Sequence, residues 1–187
     1  MPPGFLIIDL HSQGADLLEE TAHGLHEAFF DRTDAYRDLN AARREVSESL
    51  TPDRLSRVAL DAAGKVAGWI GGISMYDGRV WELHPLFVAP PHRGRGVGRA
   101  LVRDLESLVE ARGALTLFLG TDDERDETSL SGVDLYDDLP ARIRGVRNLK
   151  GHPYEFYEHL GFRIVGVVPD ANGRGRPDIF MAKRIGR

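Results

Sequence analysis

The chain has 187 residues, a formal net charge of −5, a hydrophobic share of 42% and no cysteine. That length suits one domain with a single sizeable core, and the lack of cysteine excludes disulfides, thiolate metal sites and a cysteine nucleophile. No apolar run approaches the roughly eighteen residues of a membrane span, no basic footprint of a nucleic-acid binder dominates, and MPPGFLIIDL lacks the basic region of a secretory signal; a cytoplasmic protein without metal, membrane or nucleic-acid partners is expected.

In chain order, residues 4–10 (GFLIIDL) read as a short buried strand. Ser12 is placed to cap a helix from about Ala15 to Phe30, on which Leu18, Ala22, Leu25 and Phe29 recur on one face. A second helix over 35–49 ends at Thr51-Pro52-Asp53. In RVALDAAGKVAGWIGGISMY two apolar runs flank Ala-Ala-Gly-Lys, a hairpin signal. Residues 81–89 (WELHPLFVA) form a further strand, interrupted by Pro85. Proline cannot donate a ladder hydrogen bond, so a bulge or a local loss of pairing is expected there.

A helix over 98–112 should bury Leu101, Leu105 and Leu108 and stop at Gly113. The continuous apolar run ALTLFLG (114–120) predicts a strand covered on both faces. Residues 121–150 read as irregular, with a short helix near 135–147; a helix over 152–160 ends at Gly161, and FRIVGVV and PDIFMAKRI are the last strands. This alternation predicts a mixed α/β sheet. The irregular segment is acidic: Asp122, Asp123, Glu124, Asp126, Glu127, Asp134, Asp137 and Asp138 face only Arg125. Such a run either concentrates cations or is a solvated loop.

The sharpest local signal is His92-Arg93-Gly94-Arg95-Gly96-Val97-Gly98, between a predicted strand and a predicted helix. Amides at a helix start lack intrahelical partners and the helix dipole adds positive charge. Glycines let the backbone approach a ligand, so the loop is a phosphate cradle to which Arg93, Arg95 and Arg99 can add charge-assisted contacts. The pattern GxxxxGK[ST] is missing, and GxGxxG fails because position 99 is arginine.

Arg93-x-x-Gly96-x-Gly98 does match the R/Q-x-x-G-x-G/A signature of GNAT acetyltransferases, and Phe156-Tyr157-Glu158-His159-Leu160-Gly161-Phe162 looks like that family's closing helix and strand. Trp81-Glu82-Leu83-His84-Pro85-Leu86, Leu119-Gly120-Thr121-Asp122-Asp123, His152-Pro153-Tyr154-Glu155-Phe156-Tyr157, Pro169-Asp170-Ala171-Asn172-Gly173 and Pro177-Asp178-Ile179-Phe180-Met181-Ala182-Lys183 resemble, in order and spacing, one subgroup of aminoglycoside 6'-N-acetyltransferases. The similarity covers roughly residues 64–185. The resemblance implies a GNAT fold, a central mostly antiparallel sheet flanked by helices in which strands 4 and 5 form a splayed parallel pair. It implies acetyl-CoA as co-substrate, held by Leu86, Phe87 and Val88 and by Arg93, Gly94, Arg95, Gly96, Val97, Gly98 and Arg99.

The same resemblance implies acetyl transfer to the 6'-amino group of a polycationic aminoglycoside. Glu82 is the expected general base. His84, two residues on and so on the same strand face, is a relay or a substrate contact. An amide beside Leu86 would stabilise the oxyanion, and Tyr157 would protonate the leaving thiolate. Tyr76, Glu82, Asp122, Asp126 and Asp138 are the expected substrate contacts, with Phe29 or Phe30 as an aromatic wall. A homodimer is implied as well. Other acceptors remain open, namely polyamines, peptides or protein N-termini, as does a non-catalytic acyl-CoA-binding module.

Overall fold

Antiparallel pairing builds most of the molecule. The computed structural model describes residues 4–32 and 34–186, which divide into two compact units, residues 4–117 with 185–186, and residues 118–184. In the first unit β1 (Phe5–Asp9), β2 (Arg54–Asp61), β3 (Val66–Met75) and β4 (Val80–Val88) pair antiparallel in that order. Helices α1 (Ala15–Phe29) and α2 (Leu39–Glu48) pack against each other, and α3 (Val97–Glu110) packs on β3. Strand β5 (Thr116–Asp122) starts beside the beginning of β4, because the Leu115 and Thr116 amides both donate to the Arg79 carbonyl. Over these first residues the two strands run parallel. The second unit holds most of β5, α4 (Leu139–Arg144), α5 (Tyr154–His159), β6 (Arg163–Val168) and β7 (Asp178–Arg184), with strand order β5-β7-β6. No helix among the described residues is long and apolar enough to cross a membrane.

The predicted elements form, with informative shifts at their ends, but β1 is an edge strand with Leu6 exposed rather than the buried strand its apolar run suggests. Ser12 does not cap α1; it lies in a 3-10 turn capped by Asp9, and the N-cap of α1 is Gly14, which offers no side-chain oxygen. The second helix begins at Leu39 rather than near residue 35, because Asp38 accepts a hydrogen bond from the Ala41 amide and sets the start. Leu108 sits at the margin of the buried face of α3, where Val109 joins Leu101 and Leu105 instead. Along β5 burial alternates, with Leu117, Leu119 and Thr121 inside and Gly120 and Asp122 exposed, so its apolar run does not mean two covered faces. The Ala62–Lys65 hairpin is as expected: Gly64 has φ of 77°, and Asp61 accepts from the Ala63 and Lys65 amides.

The core of the first unit fixes the faces of β4. Trp69, Phe87, Leu25, Ala22, Val46 and Ala42 form one buried cluster under α1 and α2. Gly24 of α1 leaves the space that the Phe87 ring fills; a Cβ there would lie 2.7 Å from it. On the opposite face a Cβ at Gly72 would meet Leu105 at 2.8 Å, and Gly72 is the register partner of Leu83. Leu83 therefore faces α3 while Phe87, also an odd-numbered residue, faces α1. The alternation of β4 flips between them.

The flip is the bulge expected at Pro85. Ile70 pairs with Leu86 and Gly72 with Leu83, so Gly71 alone stands opposite His84 and Pro85; the peptide between those two is cis. Glu82 precedes the bulge and His84 is its first residue, and the two share the face toward α1 and α2, as their spacing predicts.

Candidate functional site

Directly after β4, a 3-10 turn (Pro90–His92) leads into the glycine loop. Gly94 and Gly96 have φ of 72° and 88°, the left-handed region open to glycine. Gly96 is the N-cap of α3, and the first intrahelical bond runs from the Ala100 amide to the Gly96 carbonyl at 3.0 Å. The amides before Ala100 are those a helix start leaves for an external acceptor. A Cβ at either glycine would meet nothing within 4 Å, so the backbone is accessible to a bulky anion. The first turn of α3 carries no acidic residue, and Arg95 and Arg99 are exposed beside it. These residues fit a diphosphate. Arg93 is used differently from the expectation: its Nε donates to the Val88 carbonyl at 3.0 Å, latching the loop to the end of β4. Val97 and Gly98 are buried and anchor the helix.

Leu86, Phe87 and Val88 pair through one strand edge with Ile70, Trp69 and Gly68. In an antiparallel pair only alternate residues turn both N–H and C=O to the partner strand, and those between present theirs to the other edge.

Glu82, before the bulge, is half-buried, and His84, in the bulge, belongs to a cluster that the sequence did not reveal. His84 Nε2 lies 3.3 Å from the Tyr36 hydroxyl and 3.8 Å from Glu45 Oε2. Glu45, only 15% exposed at its side chain, also pairs with Arg54 at 3.3 Å, and Arg54 reaches Glu48 at 3.7 Å. Burial disfavours the His84 imidazolium, but Glu45 and Glu82 outweigh burial and Arg54 and hold its pKa above the ordinary value. Burial and Glu45 push the Tyr36 hydroxyl far up. Burial opposes the Glu45 charge, yet His84 and Arg54 hold its carboxyl below the usual range. The available sequence signal was Glu45 itself, which sits on the turn between Ala42 and Val46, the buried positions of α2.

Phe29 packs on Tyr36 with ring centroids 5.7 Å apart, while Phe30 is exposed at the helix end beside His26. Tyr76, 72% exposed, lies in the tight β3–β4 turn, where Tyr76 and Asp77 have φ of 49° and 55°.

In the second unit Tyr157 is buried, edge-on to Phe156 and Phe162 with centroids 5.1 and 5.7 Å away. Burial pushes its hydroxyl far above the ordinary tyrosine value, so it stays protonated at neutral pH. Several acidic residues have structural partners. Asp122 accepts from Asn172 Nδ2, Asp134 from the Tyr136 amide, and Asp138 from the Ala141 amide as the N-cap of α4. Asp126 is exposed with φ of 53°. Asp138 and Asp137 line a cavity of about 700 Å³ together with Arg142 and Arg147, so that cavity is not purely acidic.

Asp123 is fully buried and accepts from the Glu127 amide at 2.7 Å, the Thr128 amide at 2.8 Å and Ser131 Oγ at 2.6 Å. Burial raises its pKa, but those donors and the charge of His152 prevail and hold the carboxyl below the usual carboxylate range. A depressed carboxylate stabilises the fold above its unfolded pKa of about 3.9 and loses that contribution as pH falls through the folded value. Asp123→Asn is therefore expected to cost about 2 kcal/mol at neutral pH, because one side of the amide presents a donor to donors. Its penalty should shrink in acid below about pH 4. Thermal melts of both proteins between pH 3 and pH 7 check this; parallel melting curves would show that the carboxylate does not organise the segment.

Comparison with known proteins draws these parts together. An aminoglycoside 6'-N-acetyltransferase whose crystal structure is complexed with coenzyme A is 38% identical, with a TM-score of 0.89 over 97% of this chain and 98% of that one. The aminoglycoside 6'-N-acetyltransferase from Enterococcus faecium is 39% identical, with a TM-score of 0.88 over the same shares. An acetyltransferase of Sodalis glossinidius is 34% identical over 84 residues, 45% of this chain and 58% of that protein, so the match spans little more than half of this curated relative. The mixed α/β architecture is the GNAT fold. Residues 17–136, from α1 through the glycine loop into the acidic segment, match the Acetyltransferase (GNAT) family, and the chain belongs to that family.

Proposed function

We propose that the protein transfers acetyl from acetyl-CoA to a primary amine, the 6'-amino group of an aminoglycoside. The observation that carries this reading is the left-handed Gly94–Gly96 loop opening α3 directly after the strand that bears Glu82. The near-full-length likeness to two aminoglycoside 6'-N-acetyltransferases supports the choice of acceptor. Acetyl-CoA supplies the activated acyl group. The loop amides with Arg95 and Arg99 bind its diphosphate, and an amide beside Leu86 receives the charge that develops on the thioester oxygen.

The acceptor reaches the site as an ammonium and must lose a proton before its nitrogen attacks. Glu82 takes that proton. The new carbon–nitrogen bond forms, the carbon–sulfur bond breaks, the thiolate takes a proton from Tyr157, and the second proton lost by the amine nitrogen restores the tyrosine. The net reaction yields an acetamide, the free thiol and one proton released to solvent. Tyr76, Asp122, Asp126 and Asp138 are the proposed contacts for the acceptor. A homodimer belongs to the same reading and rests on resemblance, and a cytoplasmic location rests on the cysteine-free composition.

The acidic contacts would serve any polycation, so electrostatics does not separate aminoglycosides from polyamines or basic peptides. Kanamycin, tobramycin, spermidine and peptides assayed for thiol release separate them, with the acetylated position of the kanamycin product located by NMR. Turnover confined to aminoglycosides, with acetylation at the 6' nitrogen, is expected. Glu82→Gln should lower kcat/KM by about a hundredfold or more, as removal of a general base does. Preference for spermidine or peptides would reassign the acceptor. Thioester binding without turnover of any amine would leave an acyl-CoA-binding module.

A further inference from the structure

Tyr36 and Glu45 converge on His84 from two separate elements, the 3-10 turn Asp34–Tyr36 and helix α2, and Arg54 of strand β2 pairs with Glu45 behind them. Glu45 points into this cluster from the buried side of its helix, and a carboxylate at neutral pH can only accept hydrogen bonds. Its direct separation from His84 Nε2, 3.8 Å, is too long for a hydrogen bond. The same nitrogen lies 3.3 Å from the Tyr36 hydroxyl. A carboxylate 3.8 Å from Nε2 favours hydrogen on that nitrogen rather than a bare lone pair. The Tyr36 oxygen is then placed to accept it.

We propose that Glu45 is a positioning residue for acetyl transfer: together with Tyr36 it fixes His84 with Nε2–H toward α2 and leaves Nδ1 to accept the proton that Glu82 removes from the acceptor amine. The proposal rests on the reading above for its reaction, and on the geometry of the cluster for the residue it names. The charged and titratable groups facing His84 are Tyr36, Glu45, Arg54 and Glu82, with Glu48 acting through Arg54. The two carboxylates Glu45 and Glu82 outweigh Arg54 there, which makes His84 a stronger base than an isolated imidazole. A proton arriving at Nδ1 is stabilised by the Glu45 charge, as a buried carboxylate stabilises the imidazolium it orients.

The test has two arms, run on the full chain. In the first, the His84 ring is titrated by NMR in wild type, Glu45→Gln and Glu45→Asp, with the His84→Gln spectrum assigning its resonance. Loss of one carboxylate charge at this range should lower the His84 midpoint by about one pH unit in Glu45→Gln, and Glu45→Asp should restore part of it. In the second, the acidic limb of the kcat/KM profile with kanamycin should move by the same amount as the NMR midpoint, with KM little changed. A merely structural role for Glu45 would lower the melting temperature without moving either midpoint.

An unshifted His84 midpoint overturns the proposal. A shifted midpoint with an unshifted kinetic limb overturns it too, because the cluster would then lie off the proton path. If wild type acetylates no amine, the acetyl-transfer reading fails while the NMR arm still decides whether Glu45 governs His84.

Discussion

Gly71→Ala is expected to destabilise the protein by about 3 kcal/mol or more and to lower kcat/KM far more than any change in substrate contacts would. A Cβ at this position points straight at the His84 carbonyl, well inside contact distance, and also meets Pro85 Cδ at 3.5 Å. The obstacle is backbone in the neighbouring strand, so no side-chain rotation relieves it. Either β3 and β4 separate or the bulge is lost, and overpacking of this kind typically costs about 1–3 kcal/mol, occasionally more. For a chain of this length the melting temperature should fall by roughly 6–12 °C. Activity should fall as well, because the bulge sets which face carries Glu82 and His84 and which carries Phe87. Gly166→Ala is the matched control: an added Cβ there meets nothing within 4 Å, and the melting temperature should hardly change. Melting and turnover of Gly71→Ala indistinguishable from wild type would mean that the β3–β4 register is not the one described.

Gly96→Asp is expected to weaken coenzyme A binding about a hundredfold or more while leaving the melting temperature within a few degrees. Two effects add. A residue with a Cβ held at φ of 88° costs about 1–2 kcal/mol. A carboxylate set against a diphosphate at about 4 Å adds between about 1 and 4 kcal/mol, depending on how far solvent screens the pair. Each 1.4 kcal/mol is about tenfold in affinity. Gly96→Ala carries only the conformational cost and should lose about tenfold. Calorimetric titration with coenzyme A at two salt concentrations distinguishes the effects, since the aspartate penalty should shrink as salt rises and the alanine penalty should not. Unaltered affinity in Gly96→Asp would remove the loop from the binding site.

Both predictions concern glycines, and only one of them was legible as functional in the sequence. Gly96 stood out because Arg93-x-x-Gly96-x-Gly98 follows a strand and opens a helix, and the local backbone confirms the left-handed turn that the pattern requires. In the sequence Gly71 is one of three glycines in the apolar run from Val66 to Ile73. Its role depends on what stands opposite it in β4, which no local pattern encodes.

What the sequence determined by itself was local. Helical periodicity located α1 and α3, Thr51-Pro52-Asp53 marked the end of α2, the Ala-Ala-Gly-Lys turn joined β2 to β3, and Pro85 marked an interruption of β4, because a residue that cannot donate a ladder bond leaves the same trace in any context. The spacing of Glu82 and His84 put them on one strand face for the same reason. Tertiary structure alone decided the rest. Tyr36, Glu45 and Arg54 meet His84 from positions between 30 and 48 residues away in the chain. Asp123 turned out to be the buried acceptor of its own loop rather than part of an open acidic surface. Asp138 serves at least as a helix cap. A carboxylate in a sequence carries the same charge whether it will cap a helix, satisfy buried amides or meet a ligand. Only the packing of the chain around it sets which donors it faces, how much water it keeps, and therefore what it can do.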